Sequence, residues 1–248
     1  MGGDIKGRSG QVDHPSRIGR GQDPSRGAEV GRGYEIDRVL ENGPRLTEDR
    51  SMGSRMYVAL VPPAEVLESV DDLVERMRER QRPQDPRRFR WIQPGDAHIT
   101  LAFMASVADP EGLADSLTAD LERVPPVEIG LSGSGAFPDP VSGRMLWLGI
   151  ADPTGRLPGL ARTIRSSAHS AGAQPEVGAF SAHLTLARCH RGDLTAEVDS
   201  LSGFSRPPWR AREVTLLESH LSRQGARHEV VAGIRLNGLD RTQFRSPR

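Results

Sequence analysis

His98-Ile-Thr-Leu-Ala-Phe103 and His183-Leu-Thr-Leu-Ala-Arg188 are two copies of one motif, and they decide the fold. Each copy has a histidine, an aliphatic residue, a threonine and a leucine in the same order. With 7 histidines in 248 residues, fewer than one His-x-Thr triplet is expected by chance. Two triplets in matched contexts therefore indicate a duplicated functional element.

The spacing within each copy predicts which side chains share a surface. Residues i and i+2 of a β-strand point to the same face of a sheet. His98 and Thr100 should then lie on one face, with Ile99 on the other, and the same holds for His183 and Thr185. Two such strands side by side would line a cleft with two imidazoles and two hydroxyls.

This set of groups suits phosphodiester hydrolysis without a metal. A neutral imidazole can accept a proton from water while a protonated one supplies a proton to the departing oxygen. Histidine is the side chain whose ordinary pKa allows both states near neutrality. The threonine hydroxyls can donate hydrogen bonds to the phosphoryl oxygens as charge develops on them.

The surrounding sequence predicts alternating helices and strands. Apolar spacing indicates helices over 64–81, from Pro110 onward and over 157–171. Short apolar runs indicate strands at 56–62, 98–104, 127–131, 145–150, 183–189, 212–221 and 229–236, with a loop at 132–143 and a turn at Gln224-Gly225. Helices mixed with antiparallel strands predict an α+β fold.

Composition divides the chain into three segments. Residues 1–54 hold 11 of the 27 glycines and little apolar periodicity, so we expect a disordered tail. Residues 55–237 are expected to form a single catalytic domain, and residues 238–248 a frayed end. No stretch is apolar enough to span a membrane, and Cys189 is the single cysteine, so we expect a cytoplasmic protein. We also expect a monomer.

Charge and motif content restrict the function. The formal net charge is zero, which disfavours a protein that coats long nucleic acid but allows one that binds a nucleic-acid end. No metal-binding spacing or phosphate-binding loop is present, so no metal and no cofactor are expected. The arginine-rich stretch 78–90 is either a solvated surface or an RNA-backbone contact.

Beyond the two motifs, the chain resembles the two-histidine (2H) phosphoesterase superfamily, in its RNA 2′,3′-cyclic phosphodiesterase (2′-5′ RNA ligase) branch. The resemblance runs from about Arg55 to Leu236. It includes the strand at 57–62, the stretch 133–138 followed by 144–149, Phe180 before the second motif, and the stretch 217–221. His228 departs from it, since the family often has an aromatic residue there.

The resemblance implies a bilobal, pseudo-twofold fold in which two antiparallel sheets flank a central cleft, with helices outside. It implies metal-independent hydrolysis of RNA 2′,3′-cyclic phosphate ends to 2′-phosphomonoesters. By position it makes Phe103 a base-stacking residue and Arg188 a phosphate contact, although both lie at odd separations from their histidines. It also favours His98 as the proton donor and His183 as the base, while the motifs alone fit the reverse equally well.

The same residues also fit other functions. The chain could be a non-catalytic module that binds RNA ends, a phosphodiesterase for another cyclic nucleotide, or a 2′-5′ ligase running the reaction backwards. The paired His-x-Thr motifs argue against simple binding, which needs only cationic donors.

Overall fold

A computed structural model describes residues 53–222 and 225–239, apart from the side chains of residues 221, 222, 225 and 226. The predicted tail up to residue 52, the turn residue Gln224 and the chain end from residue 240 lie outside the described residues. In chain order the elements are β1 (Ser54–Leu60), α1 (Ala64–Arg80), β2 (Arg90–Trp91), β3 (Ile99–Val107), α2 (Pro110–Leu121), β4 (Val127–Phe137), β5 (Gly143–Ala151), α3 (Leu157–Ser170), β6 (His183–Gly192), α4 (Thr195–Leu201), β7 (Ser205–Ala211), β8 (Glu213–Ser222) and β9 (Gly225–Arg235).

The strands form an antiparallel sheet in the order β7-β4-β5-β6-β3-β1-β8-β9, with β2 added to β6. The α+β class is confirmed. The expected two sheets correspond to two four-stranded halves, which join at the motif strands β6 and β3. This junction consists of one pair, Ile99 opposite Leu184.

The helices pack on the apolar face of the sheet. The buried side chains of α1 recur at helical spacing, from Val66 and Val70 to Met77, as the sequence predicts. They share one hydrophobic cluster with residues of α2 and α3 and with Ile99 and Leu184. The opposite face of the motif strands is left for the histidines and threonines.

The predicted loop at 132–143 is wrong in its first half, because β4 continues to Phe137. The register of β4 against β5 shifts between Leu131 and Ser134, and Gly133 between them has a φ of 72°. Glycine adopts that left-handed conformation without strain. The glycines therefore mark an irregularity inside a long strand rather than its end.

Three elements were not predicted: β2, α4 and β7. Pro207 and Pro208 argue against a strand, since proline cannot donate a ladder hydrogen bond. β7 tolerates them because it lies at the edge of the sheet, paired only with β4. Across residues 53–222 and 225–239, the helices are all too short or too polar to cross a bilayer.

Candidate active site

The strand that carries the first motif contains a β-bulge. Ala102 and Thr100 pair with consecutive residues of β1, so Leu101 is an extra residue. Leu101 and Ala102 are both buried, whereas Phe103 is only half-buried. The bulge therefore returns Phe103 to the face of Thr100, which a regular strand would not do.

The second motif contains the same bulge at the equivalent position. Ala187 and Thr185 pair with consecutive residues of β5, and the extra residue is Leu186. Leu186 and Ala187 are both buried. Arg188 consequently lies on the same face as Thr185, in spite of its odd separation from His183.

The junction of β3 and β6 gives the site a local twofold arrangement. Ile99 and Leu184 are the paired residues, and both side chains are fully buried on the apolar face. Continuing this antiparallel register by one residue each way places His98 across from Thr185 and Thr100 across from His183. The four polar side chains thus converge on the face opposite the helices.

Each histidine is oriented by the same local hydrogen bond. Nδ1 of His98 lies 2.7 Å from the carbonyl oxygen of Asp96, and Nδ1 of His183 lies 2.8 Å from that of Ser181. A carbonyl oxygen only accepts, so Nδ1 must carry the hydrogen in both rings. Nε2 is then the atom left to accept or donate the catalytic proton.

Aromatic rings from β1 and β9 enclose His98. The Tyr57 ring centroid from β1 lies 4.9 Å from that of His98, and the His228 ring from β9 lies 5.6 Å away, edge-on. Tyr57 and His228 also touch each other, with ring centroids 5.3 Å apart. Burial raises the pKa of Tyr57 and lowers the pKa of His228. The first motif histidine is thus enclosed by a phenol and a third imidazole.

A different pair of rings encloses His183. Phe137 lies edge-on to it at 4.9 Å between ring centroids, and Trp147 lies 6.3 Å away. The Trp147 ring fits over β4 because residue 135 is glycine. A Cβ atom at Gly135 would lie 2.3 Å from the indole. A side chain at position 135 would therefore displace this wall of the site.

Burial sets the protonation of both histidines in the ligand-free protein. It lowers the pKa of His98 to about 4, against the opposing effect of the hydrogen bond to Asp96. Burial likewise lowers the pKa of His183. The positive charge of Arg188 lowers the pKa of both rings further, so its guanidinium field reaches both imidazoles. A bound anion would offset the positive charge of Arg188 and raise the pKa of the imidazoles beside it.

The other predicted site residues also lie on this face. Thr100 and Thr185 are half-buried, and the Thr185 hydroxyl lies 3.5 Å from the sulfur of Met145. Phe103 packs against a small apolar cluster that includes Tyr57. The guanidinium of Arg55 lies 4.6 Å from the Phe103 ring centroid. One face of the sheet thus brings together all six residues predicted for the site.

The aromatic walls were not predicted as site residues. Tyr57 and Trp147 occur in strands expected from the sequence, and nothing in the chain order connects them to a histidine. The signal that identifies them is register: Tyr57 pairs with Phe103, and Trp147 pairs with Thr185. His228 comes from β9, which β1 and β8 separate from the motif strand β3, yet its ring contacts His98.

We expect the free energy of unfolding to fall as the pH is lowered from 7 to 5. The pKa of His98 is about 4 in the folded protein against an ordinary value of 6.5. The unfolded chain therefore binds a proton first, so the stability present above pH 6.5 is lost as the pH falls toward 4. His98 alone should contribute a loss of about 2 kcal/mol at pH 5. Urea denaturation at the two pH values measures it.

The control for this experiment removes the titrating group. His98→Gln should reduce the pH dependence by the contribution of His98, and His190→Gln, at an exposed position on β6, is the matched substitution. Equal losses of stability in the wild-type and His98→Gln proteins would contradict the burial of a neutral imidazole.

No cluster of three or more histidine, cysteine or carboxylate side chains arranged to hold a metal ion occurs within the described ranges 53–222 and 225–239. The polar side chains that accompany the two motif imidazoles are those of Thr100, Thr185, Arg188 and, beside His98, Tyr57 and His228.

Comparison with known proteins identifies relatives of this arrangement. A protein-family model of the 2′-5′ RNA ligase superfamily matches residues 62–223. The RNA 2′,3′-cyclic phosphodiesterase of Archaeoglobus fulgidus is 32% identical over 138 residues, which are 54% of this chain and 76% of that protein. The protein of the same name from Methanothermobacter thermautotrophicus is 27% identical over 164 residues, covering 64% of this chain and 88% of its own length.

Solved structures agree with the sequence comparison. The ligand-free crystal structure of LigT from Escherichia coli superposes with a TM-score of 0.55 at 25% identity. The match covers 74% of this chain and 98% of that one. The protein TT0787 of Thermus thermophilus shares the fold, with a TM-score of 0.59 at 21% identity and the same coverage.

Proposed function

This chain belongs to the 2′-5′ RNA ligase superfamily, and from that premise we propose that it opens 2′,3′-cyclic phosphate ends of RNA by hydrolysis. The observation that carries the proposal is the twofold arrangement of two imidazoles, each fixed through Nδ1 so that Nε2 is left for proton transfer. Relatives that bear the name RNA 2′,3′-cyclic phosphodiesterase, at 25% to 32% identity, support the same reaction.

The proposed reaction moves one proton at each imidazole. Water attacks the phosphorus, and His183 Nε2 takes a proton from it. The bond from phosphorus to O3′ breaks, and His98 Nε2–H protonates that oxygen, which leaves the phosphate on O2′. Each proton transfer of this kind contributes about 10²–10⁴ to the rate.

The phosphoryl oxygens need donors while negative charge accumulates on them. We assign this role to the hydroxyls of Thr100 and Thr185 and to the guanidinium of Arg188. Donors held in place before the reaction stabilise that charge without further reorganisation. Phe103 is assigned to stacking with the terminal base, since its ring lies partly exposed on the same face.

Substrate charge decides which protonation state is productive. Burial favours two neutral imidazoles in the ligand-free protein, and an anionic phosphodiester beside them favours a proton on one. The pKa of His98 is the one lowered to about 4, which favours His183 as the donor. The resemblance favours His98 instead. Both assignments use the same two residues and differ only in which histidine donates a proton and which accepts one.

A product analysis tests the proposed function. We expect a short RNA with a 2′,3′-cyclic end to be converted to a 2′-phosphomonoester at neutral pH, as resolved by ion-exchange chromatography. The oxygen that leaves phosphorus is protonated and becomes the free hydroxyl. A 2′-phosphomonoester therefore identifies O3′ as the leaving group. Formation of a 2′-5′ linkage from added 5′-hydroxyl RNA would identify the reverse, ligase direction. An intact cyclic end after prolonged incubation would reject hydrolysis.

We expect the activity to survive removal of metal ions. Proton transfer and charge stabilisation are both assigned to side chains of the chain itself, so prior treatment with EDTA should change the rate by less than about twofold, a small part of one acid–base contribution. The measurement compares treated enzyme with and without added Zn²⁺ or Mn²⁺. A rate that collapses with the chelator and returns with a metal would require a metal-assisted mechanism.

A further inference from the structure

A second arginine lies beside Arg188, on the short strand β2. Arg90 is the direct antiparallel partner of Arg188, and Trp91 is the partner of Ala187. Side chains directly opposite each other in an antiparallel pair stand on the same face, with Cβ atoms about 4.5–5.5 Å apart. Arg90 therefore stands next to Arg188 on the face that carries the catalytic histidines.

Backbone contacts fix β2 in this register. The amide of Ile92 donates to the carbonyl of Leu186 at 3.0 Å, and the amide of His190 donates to the carbonyl of Arg87 at 2.6 Å. These bonds bracket Arg90 on both sides, so its position along β6 is held by the sheet.

Aromatic packing fixes which way β2 faces. The rings of Phe89 and Trp91 stack with centroids 5.2 Å apart and pack against the main hydrophobic core. The Trp91 indole also donates to the side-chain oxygen of Gln81 at 2.8 Å. Arg90 lies between these two aromatic residues in sequence. Its side chain is therefore directed away from the core, and it is exposed.

The charges around this position favour an anionic ligand. Two arginines directly opposite each other in an antiparallel pair bring two guanidinium groups to one face of the sheet. The nearby carboxylates of Asp85 and Glu197 are both bonded to Arg87 at 2.8 Å. Among the described residues, Arg90 itself forms no salt bridge. A phosphate that lies against Arg90 would accept charge-assisted hydrogen bonds from its guanidinium.

We propose that Arg90 binds the 5′-phosphodiester of the terminal nucleotide, the next phosphate along the RNA from the reacting one. The inference rests on the proposed function, in which Arg188 holds the cyclic phosphate. It makes the preferred substrate an RNA end of two or more nucleotides, because a nucleoside 2′,3′-cyclic phosphate has no phosphate to place there.

The test compares two substrates that differ by this phosphate: adenosine 2′,3′-cyclic phosphate and the dinucleotide ApA with a 2′,3′-cyclic end. We expect Arg90→Gln to lower kcat/KM for the dinucleotide about fivefold, as for loss of one exposed phosphate contact, and to leave the mononucleotide within about twofold. The negative slope of log kcat/KM against log salt concentration should become shallower by about 0.7 for the dinucleotide only. Arg90→Lys should keep that slope, since the charge remains.

Arg162→Gln is the matched control. It makes the same charge change at an exposed position of α3, which packs on the opposite face of the sheet. Its kinetics should equal those of the wild type for both substrates. An equal loss on both substrates with Arg90→Gln, no loss on either, or the same loss with Arg162→Gln would overturn the proposal.

A binding measurement separates this inference from the proposed function. Isothermal titration calorimetry with adenosine 2′-phosphate and with ApA 2′-phosphate requires no turnover. Arg90→Gln should weaken binding of the second compound about fivefold and spare the first, as for the same contact. Wild-type protein that opens neither cyclic substrate would refute the proposed reaction alone, and the calorimetry would still decide the role of Arg90.

Discussion

Replacing His98 or His183 with alanine is expected to lower kcat/KM for a 2′,3′-cyclic RNA end by about 10²–10⁴-fold. Each substitution removes one of the two proton-transfer groups, while the bulge, Thr100, Thr185 and Arg188 remain in place. The double variant should lose little more than either single variant, because residues that act as a unit are strongly non-additive. Initial rates with a short cyclic-ended RNA measure the effect.

The same experiment needs evidence that the variants are folded. Each imidazole donates to a backbone carbonyl and packs against aromatic rings, so alanine also removes a local contact. Circular dichroism and thermal unfolding should therefore accompany the kinetics, with His→Asn variants as less disruptive alternatives. His190→Ala, at an exposed position four residues beyond the end of the second His-x-Thr-Leu, provides a control with near wild-type turnover. A folded His183→Ala protein with normal turnover would exclude the two-histidine mechanism.

Much of the fold follows from local patterns in the sequence. The helix at Ala64–Arg80 has apolar residues at helical spacing, and the strand of each motif alternates polar and apolar residues through its first four positions. These patterns predict the observed elements correctly because the apolar side chains that form them are buried together in one core. The pairing of β8 with β9 also follows from two apolar runs separated by a glycine turn.

What could not be predicted depends on contacts between segments distant in sequence. Pro207 and Pro208 fit a strand only because β7 is at an edge of the sheet. β2 has two residues, too few to show a pattern, and it forms because Ile92 bonds to the backbone of β6. In each case the neighbouring strand supplies the reason, and a sequence alone does not identify that neighbour.

The site shows the same limit within the motif itself. The alternation of His98, Ile99, Thr100 and Leu101 was sufficient to place the histidine and threonine together. It could not place Phe103, because the bulge at Leu101 changes the parity of everything after it. Both motif copies read Leu-Ala at the bulge, and both residues are buried in both copies. This repeated pair, leucine then a small residue, is the sequence feature that accompanies the change of parity.

The two halves of the site are similar in backbone and different in their surroundings. Both histidines donate through Nδ1 to a carbonyl two residues earlier. His98 is then enclosed by Tyr57 and His228, whereas His183 is enclosed by Phe137 and Trp147. Any difference in acid–base role must therefore come from these walls and from the substrate, since the motif and its hydrogen bond are the same.

A substrate that needs no proton on its leaving group should separate the two roles. Replacing O3′ of the cyclic phosphate with sulfur gives a thiolate, which is a far weaker base than an alkoxide. On the proposed assignment, His98→Ala should recover most of its about 10²–10⁴-fold loss with this substrate, because the missing proton is no longer required. His183→Ala should recover nothing, since water must still be activated.

The three other outcomes each assign the site differently. Recovery by His183→Ala alone reverses the roles, and it agrees with the burial of His98, which lowers the pKa of that ring to about 4 and favours its neutral form. Recovery by neither variant means that both imidazoles bind the phosphate rather than transfer protons. Recovery by both would mean that proton transfer to the leaving group is shared. For the wild-type enzyme, kcat/KM should rise little with the sulfur substrate, because His98 already protonates O3′ efficiently. The ratio of the two wild-type values is the reference for the ratio measured with each variant.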